Sequence, residues 1–281
     1  MRYWLNAGLL ETGQLVAVAC EAERLGFEGV ALPDHLFFPS QLESAYPYSA
    51  DGDVVWPADA TWPDCWVAIA AMAQATQRLR FMTAVYVAPL RDVFSLAKNV
   101  GTAAALSPGR VACGLGAGWL REEFDTVGQD FATRGPRMNE MLESLRLLWS
   151  GDTVEYHGAH IDFRPVRMRP AAGPVPILIG GNTAPALRRA ARQDGWIGSH
   201  TDVADASRML RELAQHRQRE ERADHPFEIL LAANPGAARD AATLGEIGVD
   251  GLIVPAVALA RSAATDAVIA GMERFAERSV R

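Results

Sequence analysis

Residues 14–35, QLVAVACEAERLGFEGVALPDH, decide the fold. From Gln14 to Leu25 the apolar residues fall at three- and four-residue spacing, the pattern of a helix with one face turned to a core. Gly26 stands where a helix ends in a left-handed turn, and residues 29–32 form a short aliphatic run of strand character. The chain leaves that run through Pro33 into an acid and an imidazole, Asp34 and His35. Helix, glycine stop, buried strand and a polar pair at the strand's end make one unit of an alternating α/β architecture.

The rhythm repeats along the chain. Strands are predicted at residues 3–7, 29–32, 80–87, 110–115, 175–179, 195–199, 227–232 and 251–254, with helical patterns between them. Eight strand–helix units in order predict an α/β fold of the (β/α)8 TIM-barrel type, with right-handed crossovers. Two segments interrupt it. Residues 37–63, rich in Pro, Asp, Ser and Tyr, make a connection after the second strand far longer than usual, the mark of an active-site loop. Residues 151–174 contain TVEYHGAHIDFRPVRM (153–168), which alternates on either side of His157-Gly158 and predicts a hairpin inserted before the fifth strand. No linker, low-complexity tract or internal repeat divides the chain, so residues 1–281 read as a single domain.

The 49% hydrophobic content supplies an ample core, and a formal charge of −7 offers no basic field for nucleic acid. The opening MRYWLNAGLLETGQ has no basic segment leading into a long apolar region, and no apolar run approaches the roughly 20 residues of a membrane span. A cytoplasmic protein without a membrane partner is expected. Cys20, Cys65 and Cys113 lie far apart in apolar patterns and are expected to pack rather than react. His157, His160, His200, His216 and His225 are scattered, and with no HxH, HExxH or carboxylate cluster no catalytic metal is expected.

In such a barrel the C-terminal ends of the strands face the active site. Asp34 and His35 end the second strand there; a histidine titrating near neutrality exchanges protons, and the plainer alternative is a turn that Asp34 caps. After the third strand, TAVYVAPLR (residues 83–91) reads no differently from a buried strand stopped by Pro89. The fourth runs into Gly114-Leu115-Gly116-Ala117-Gly118-Trp119, where alternate glycines remove bulk and would let a flat ligand approach the backbone; Trp119 could stack on its ring or simply pack. The fifth ends in Gly180-Gly181-Asn182-Thr183 ahead of a helix. Glycines, a helix start and a hydroxyl make either a phosphate cradle or an ordinary capped turn.

Taken in order, these stretches resemble the bacterial luciferase-like superfamily of flavin and deazaflavin oxidoreductases. The carriers are AERLGFEGV (22–30) entering Pro33-Asp34-His35, RLRFMTAV (78–85), LSPGRV (106–111) before GLGAGW (114–119), Glu122-Glu123-Phe124 with Gly128, RGPR (134–137), LLW (147–149), IGGNTAPALRRAA (179–191) and DGW (194–196). The resemblance implies a barrel with a flavin-type ring at the strand ends and its phosphate at Gly180, Gly181, Asn182 and Thr183. Its most similar branch uses the deazaflavin coenzyme F-420, whose ring Asp34 and His35 would border, with His35 in proton transfer or anchoring and Asp34 orienting it. It also implies a non-prolyl cis peptide at Ala84-Val85 behind the ring, cofactor contacts along Gly116, Ala117, Gly118 and Trp119, and a homodimer. Some similar deazaflavin dehydrogenases carry an acid where Ala117 stands, so their sugar-phosphate specificity does not carry over. The expected function is hydride transfer between F-420 and a small organic substrate. The alternatives are an FMN-dependent monooxygenase of the same superfamily, a flavin-binding protein without turnover, and an unrelated barrel hydrolase or lyase.

Overall fold

A strand of four to six residues cannot satisfy its own backbone, so these runs are stable only side by side, with helices covering the apolar side chains that point outward. A computed structural model describes residues 1–199, 202–232 and 240–280. The first half contains β1 (Arg2–Asn6), α1 (Leu15–Leu25), β2 (Gly29–Leu32), α2 (Cys65–Gln74), β3 (Arg80–Thr83), β4 (Tyr86–Val87), α3 (Val93–Leu106), β5 (Val111–Gly116), α4 (Arg121–Thr126) and α5 (Arg134–Ser150). The second contains β6 (Thr153–His157), β7 (Asp162–Arg167), β8 (Ile177–Gly180), α6 (Ala184–Ala190), β9 (Gly195–Ser199), α7 (Val203–Arg219), β10 (Glu228–Ala232), α8 (Ala241–Glu246), β11 (Gly251–Pro255), α9 (Ala256–Leu259) and α10 (Thr265–Ser279).

The strands pair in parallel in the order β3-β2-β1-β11-β10-β9-β8-β5-β4, and a β3–β5 pairing closes the ring. β3 and β4 act as one stave, so the barrel has the eight staves expected. One buried apolar cluster takes a residue from every stave, Trp4, Ala31, Met82, Ala112, Leu178, Ile197, Leu230 and Ile253, and fills the barrel interior. The much larger apolar layer lies between barrel and helices. Gly26, at φ 81°, ends α1 in the left-handed conformation that a side chain would disfavour. β6 and β7 form the predicted antiparallel hairpin ahead of β8.

Three expectations need correction. The third stave is not one strand over 80–87: a cis peptide at Ala84-Val85 interrupts it. The fifth starts at Ile177 rather than Val175, because Pro176 has no N–H for the ladder. Cys65 and Cys113 are buried, but Cys20 on α1 is exposed. His200 lies outside the described residues.

Candidate active site

The end of β2 carries two buried polar side chains that go separate ways. The Asp34 carboxylate accepts two hydrogen bonds from the Arg91 guanidinium, at 2.6 and 2.8 Å, and one from the Val87 N–H at 2.9 Å. Burial raises its carboxyl above the ordinary value, against the pull of Arg91 and the Val87 amide. Asp34 therefore ties β2 to the end of β4 and does not orient His35, as the sequence reading had it. The partner of His35 is Glu123 on α4: Oε2 lies 3.2 Å from Nδ1, and Oε1 accepts the Leu36 N–H at 2.7 Å. Glu123 is 1% exposed and His35 9%. With Glu123 ionised, Nδ1 carries the hydrogen of this contact, and Nε2 is the ring atom left for a ligand.

Around the imidazole stand the rings of Trp62, Trp56 and Trp119, with centroids 4.7, 5.6 and 5.9 Å away. Tyr46 closes the set, 5.0 Å from Trp56 and 5.2 Å from Trp119. Burial, with a smaller contribution from Tyr48, pushes the Tyr46 phenol up to about 12, so it stays neutral. Tyr46, Trp56 and Trp62 all belong to the long loop after β2, which thus walls the rim. Glu122 fastens that loop, accepting from the Glu43 and Ser44 amides at 2.6 and 2.9 Å and from the Ser44 hydroxyl at 2.7 Å. The neighbouring glutamates of α4 therefore hold the start of the segment, at Leu36, and its middle.

The alternate glycines of β5 serve a different purpose from the one expected. A methyl group on Gly114 would sit 1.9 Å from the Thr83 carbonyl oxygen, on Gly116 2.5 Å from the Val85 side chain, and on Gly118 2.6 Å from Val87. On β8, a methyl on Gly180 would lie 2.4 Å from Val85. These glycines admit the interrupted third stave, not a ligand directly. Their effect is to seat Val85 between Gly116 and Gly180, with Ala84 and Val85 partly buried against the barrel interior. The cis peptide falls where the resemblance implied.

The turn after β8 also differs in detail. Gly181 spends its N–H on the Ile197 carbonyl and lies at φ 116°. Asn182 does not cap α6; its amide bridges the backbone of Ser199, donating to the carbonyl at 2.7 Å and accepting the N–H at 3.0 Å. Thr183 is the N-cap residue without a side-chain cap bond. Among the described residues, the N–H groups of Asn182, Thr183 and Ala184 have no acceptor. Trp196, fully buried, donates its indole N–H to the Gly181 carbonyl and is packing. Ala117 is partly buried against the core and brings no charge to the rim.

Sequence reasoning passed over Arg91, the role of Glu123, and Trp62. A signal for Glu123 was present: Leu120, Glu123 and Phe124 stand at i, i+3 and i+4, so the acid occupies a position of the buried stripe. Among the described residues no three His, Cys, Asp or Glu side chains converge as a metal site, and no helix is long and apolar enough to cross a membrane.

A family model for the luciferase-like monooxygenases matches residues 4–247. Uncharacterized protein Rv0940c of Mycobacterium tuberculosis is 34% identical over 256 residues, covering 90% of this chain and 88% of that one. The F420-dependent hydroxymycolic acid dehydrogenase of the same organism is 30% identical over 202 residues, 69% of this chain and 51% of that one. An F420-dependent secondary alcohol dehydrogenase, solved in complex with an F420-acetone adduct, superimposes with a TM-score of 0.80 at 15% identity, covering 100% of this chain and 99% of that one. The barrel, the residues 4–247 matched by the family model and the full-length relatives agree: this chain is an oxidoreductase belonging to the luciferase-like monooxygenase family.

Proposed function

We propose that the protein moves a hydride between the deazaflavin coenzyme F-420 and a small organic substrate. The observation that carries this reading is the seat of Val85. A partly exposed valine, held between Gly116 and Gly180 of neighbouring staves, makes an apolar ledge at the barrel mouth. The same Gly180 leads directly into the unpartnered amides of Asn182, Thr183 and Ala184. A flat ring with a phosphate on its side chain fits such a ledge and such donors. F-420-dependent enzymes among the relatives and structural neighbours support the choice of coenzyme.

The bound coenzyme would supply the carbon that gives or takes the hydride. The chain supplies position and proton traffic. His35 presents Nε2 to a substrate oxygen and holds or releases the proton there, while Glu123 fixes the tautomer. The Asp34–Arg91 pair fixes the strand end from which His35 projects, and the loop's rings keep water from the reacting atoms. A homodimer and a cytoplasmic location are part of this proposal.

An FMN-dependent monooxygenase is the second reading, since the ledge and amides suit an isoalloxazine phosphate equally and the family description is that of monooxygenases. Absorbance titrations with F-420 and FMN, done separately, test the choice. Tight binding of F-420 and substrate-dependent change in its absorbance are expected; tight binding of FMN alone would replace the first reading by the second.

A further inference from the structure

The rings around His35 form an aromatic cluster that carries hydrogen-bond donors and, among the described residues, no unpaired charged side chain. Its two ion pairs are internally matched: Asp34 with Arg91, and Glu123 with His35. Among the described residues, cations lie over the rings of Trp4, Phe81, Tyr86, Phe131 and Phe227, and none lies over Tyr46, Trp56, Trp62 or Trp119. The indole N–H groups of Trp56 and Trp62 are buried and have no acceptor. A buried donor without a partner is costly, and an acceptor oxygen on a ligand would relieve it. The ring pairs here meet edge to face at 67–88°, apart from His35 and Trp56 at 44°, presenting both faces and edges to a guest.

We infer that the substrate class of this site is an uncharged, planar aromatic compound bearing a carbonyl or hydroxyl oxygen, held between the loop tryptophans and Trp119. The inference rests on the function proposed above for the location of the substrate. An aromatic guest replaces ring contacts with ring contacts, so it enters without exposing apolar surface. Among the described residues, a phosphate or carboxylate buried here would find no cation free to compensate it. Selectivity then resides in the long loop, which brings three of the four rings.

The alternative is that the rings are only the loop's own small core. Equilibrium dialysis of the whole protein, with and without F-420, separates the two using naphthalene, 2-acetylnaphthalene, 2-naphthoate and 2-naphthyl phosphate. The inference expects 2-acetylnaphthalene to bind more tightly than naphthalene, and both charged probes to bind at least about tenfold more weakly than 2-acetylnaphthalene. In Trp56→Phe/Trp62→Phe, which keeps an aromatic but smaller ring at each position and removes the N–H groups, 2-acetylnaphthalene loses about three- to tenfold more affinity than naphthalene does. Failure of every probe to bind, or charged probes binding as well as the ketone, overturns it. So does an equal loss for naphthalene and its ketone. If 2-acetylnaphthalene binds while F-420 does not, the coenzyme assignment falls and the substrate class stands; if F-420 binds and the probes do not, the reverse holds.

Discussion

Glu123 and His35 are 88 positions apart in the chain, yet their side chains share a buried contact of 3.2 Å at the mouth of the barrel. The glutamate's other oxygen holds the amide of Leu36, the residue after the histidine. One acid thus fixes both the ring and the backbone that carries it, so the geometry of this rim depends on α4 as much as on β2.

Replacing His35 by Ala is expected to lower kcat/KM by roughly 100- to 10,000-fold, the range of general acid–base contributions, and to lower the melting temperature as well, because the buried Glu123 carboxylate loses its imidazole partner. Glu123→Gln keeps an acceptor for Leu36 but turns an NH2 toward Nδ1, forcing the imidazole's hydrogen onto Nε2. It should approach the His35→Ala defect, and the double variant should be no worse than His35→Ala alone. Additive losses in kcat/KM would mean that Glu123 acts independently of His35.

Glu122 is the loop's fastening and carries the clearest pH signature. Partial burial pushes its carboxyl up, but the Ser44 hydroxyl and the Glu43 and Ser44 amides pull it down further, to about 2. A carboxyl depressed by folding stabilises the protein above its unfolded value, and that contribution is lost as pH falls toward the folded one. The wild type should therefore lose stability relative to Glu122→Gln between about pH 4.5 and 2, measured as the difference in chemical denaturation midpoints. At neutral pH the variant should show faster amide exchange over residues 37–63; unchanged exchange would remove Glu122 as the fastening.

Gly180→Ala should be destabilising by about 1–3 kcal/mol, because its methyl would meet Val85 at 2.4 Å. Adding Val85→Ala should recover most of the loss. Calorimetry of the two single variants and the pair tests it, and simple additivity would show that the glycine serves some other neighbour.

The phosphate cradle is best tested at Thr183, since Gly181 at φ 116° would be strained by any side chain. Thr183→Asp places an acid at an exposed N-cap, where it is neutral or favourable to the helix by roughly 0.3–1 kcal/mol. Folding should be unharmed, while F-420 affinity falls more than about tenfold through repulsion of its phosphate. A variant that melts like wild type and binds F-420 unchanged would move the phosphate elsewhere.

The sequence by itself determined the staves, the helices between them, the hairpin of residues 153–168 and the long loop after β2. Strand and helix periods are set by backbone geometry and read locally, and Gly26 and its like mark the joints wherever the chain turns. Asp34 and His35 were placed just beyond the C-terminal end of β2 for the same reason, as the next residues after a strand. Only the tertiary structure decided what those residues touch. Asp34 finds Arg91 and His35 finds Glu123 because closing the barrel sets the end of β2 beside those of β4 and α4, and a buried polar group takes whichever partner closure brings within reach. The glycines in and after β5 were visible as a pattern, but their reason was not: the space they leave is filled by the Thr83 carbonyl, Val85 and Val87 of a neighbouring stave, and which atoms fill a gap is a property of packing across strands, which no local period encodes.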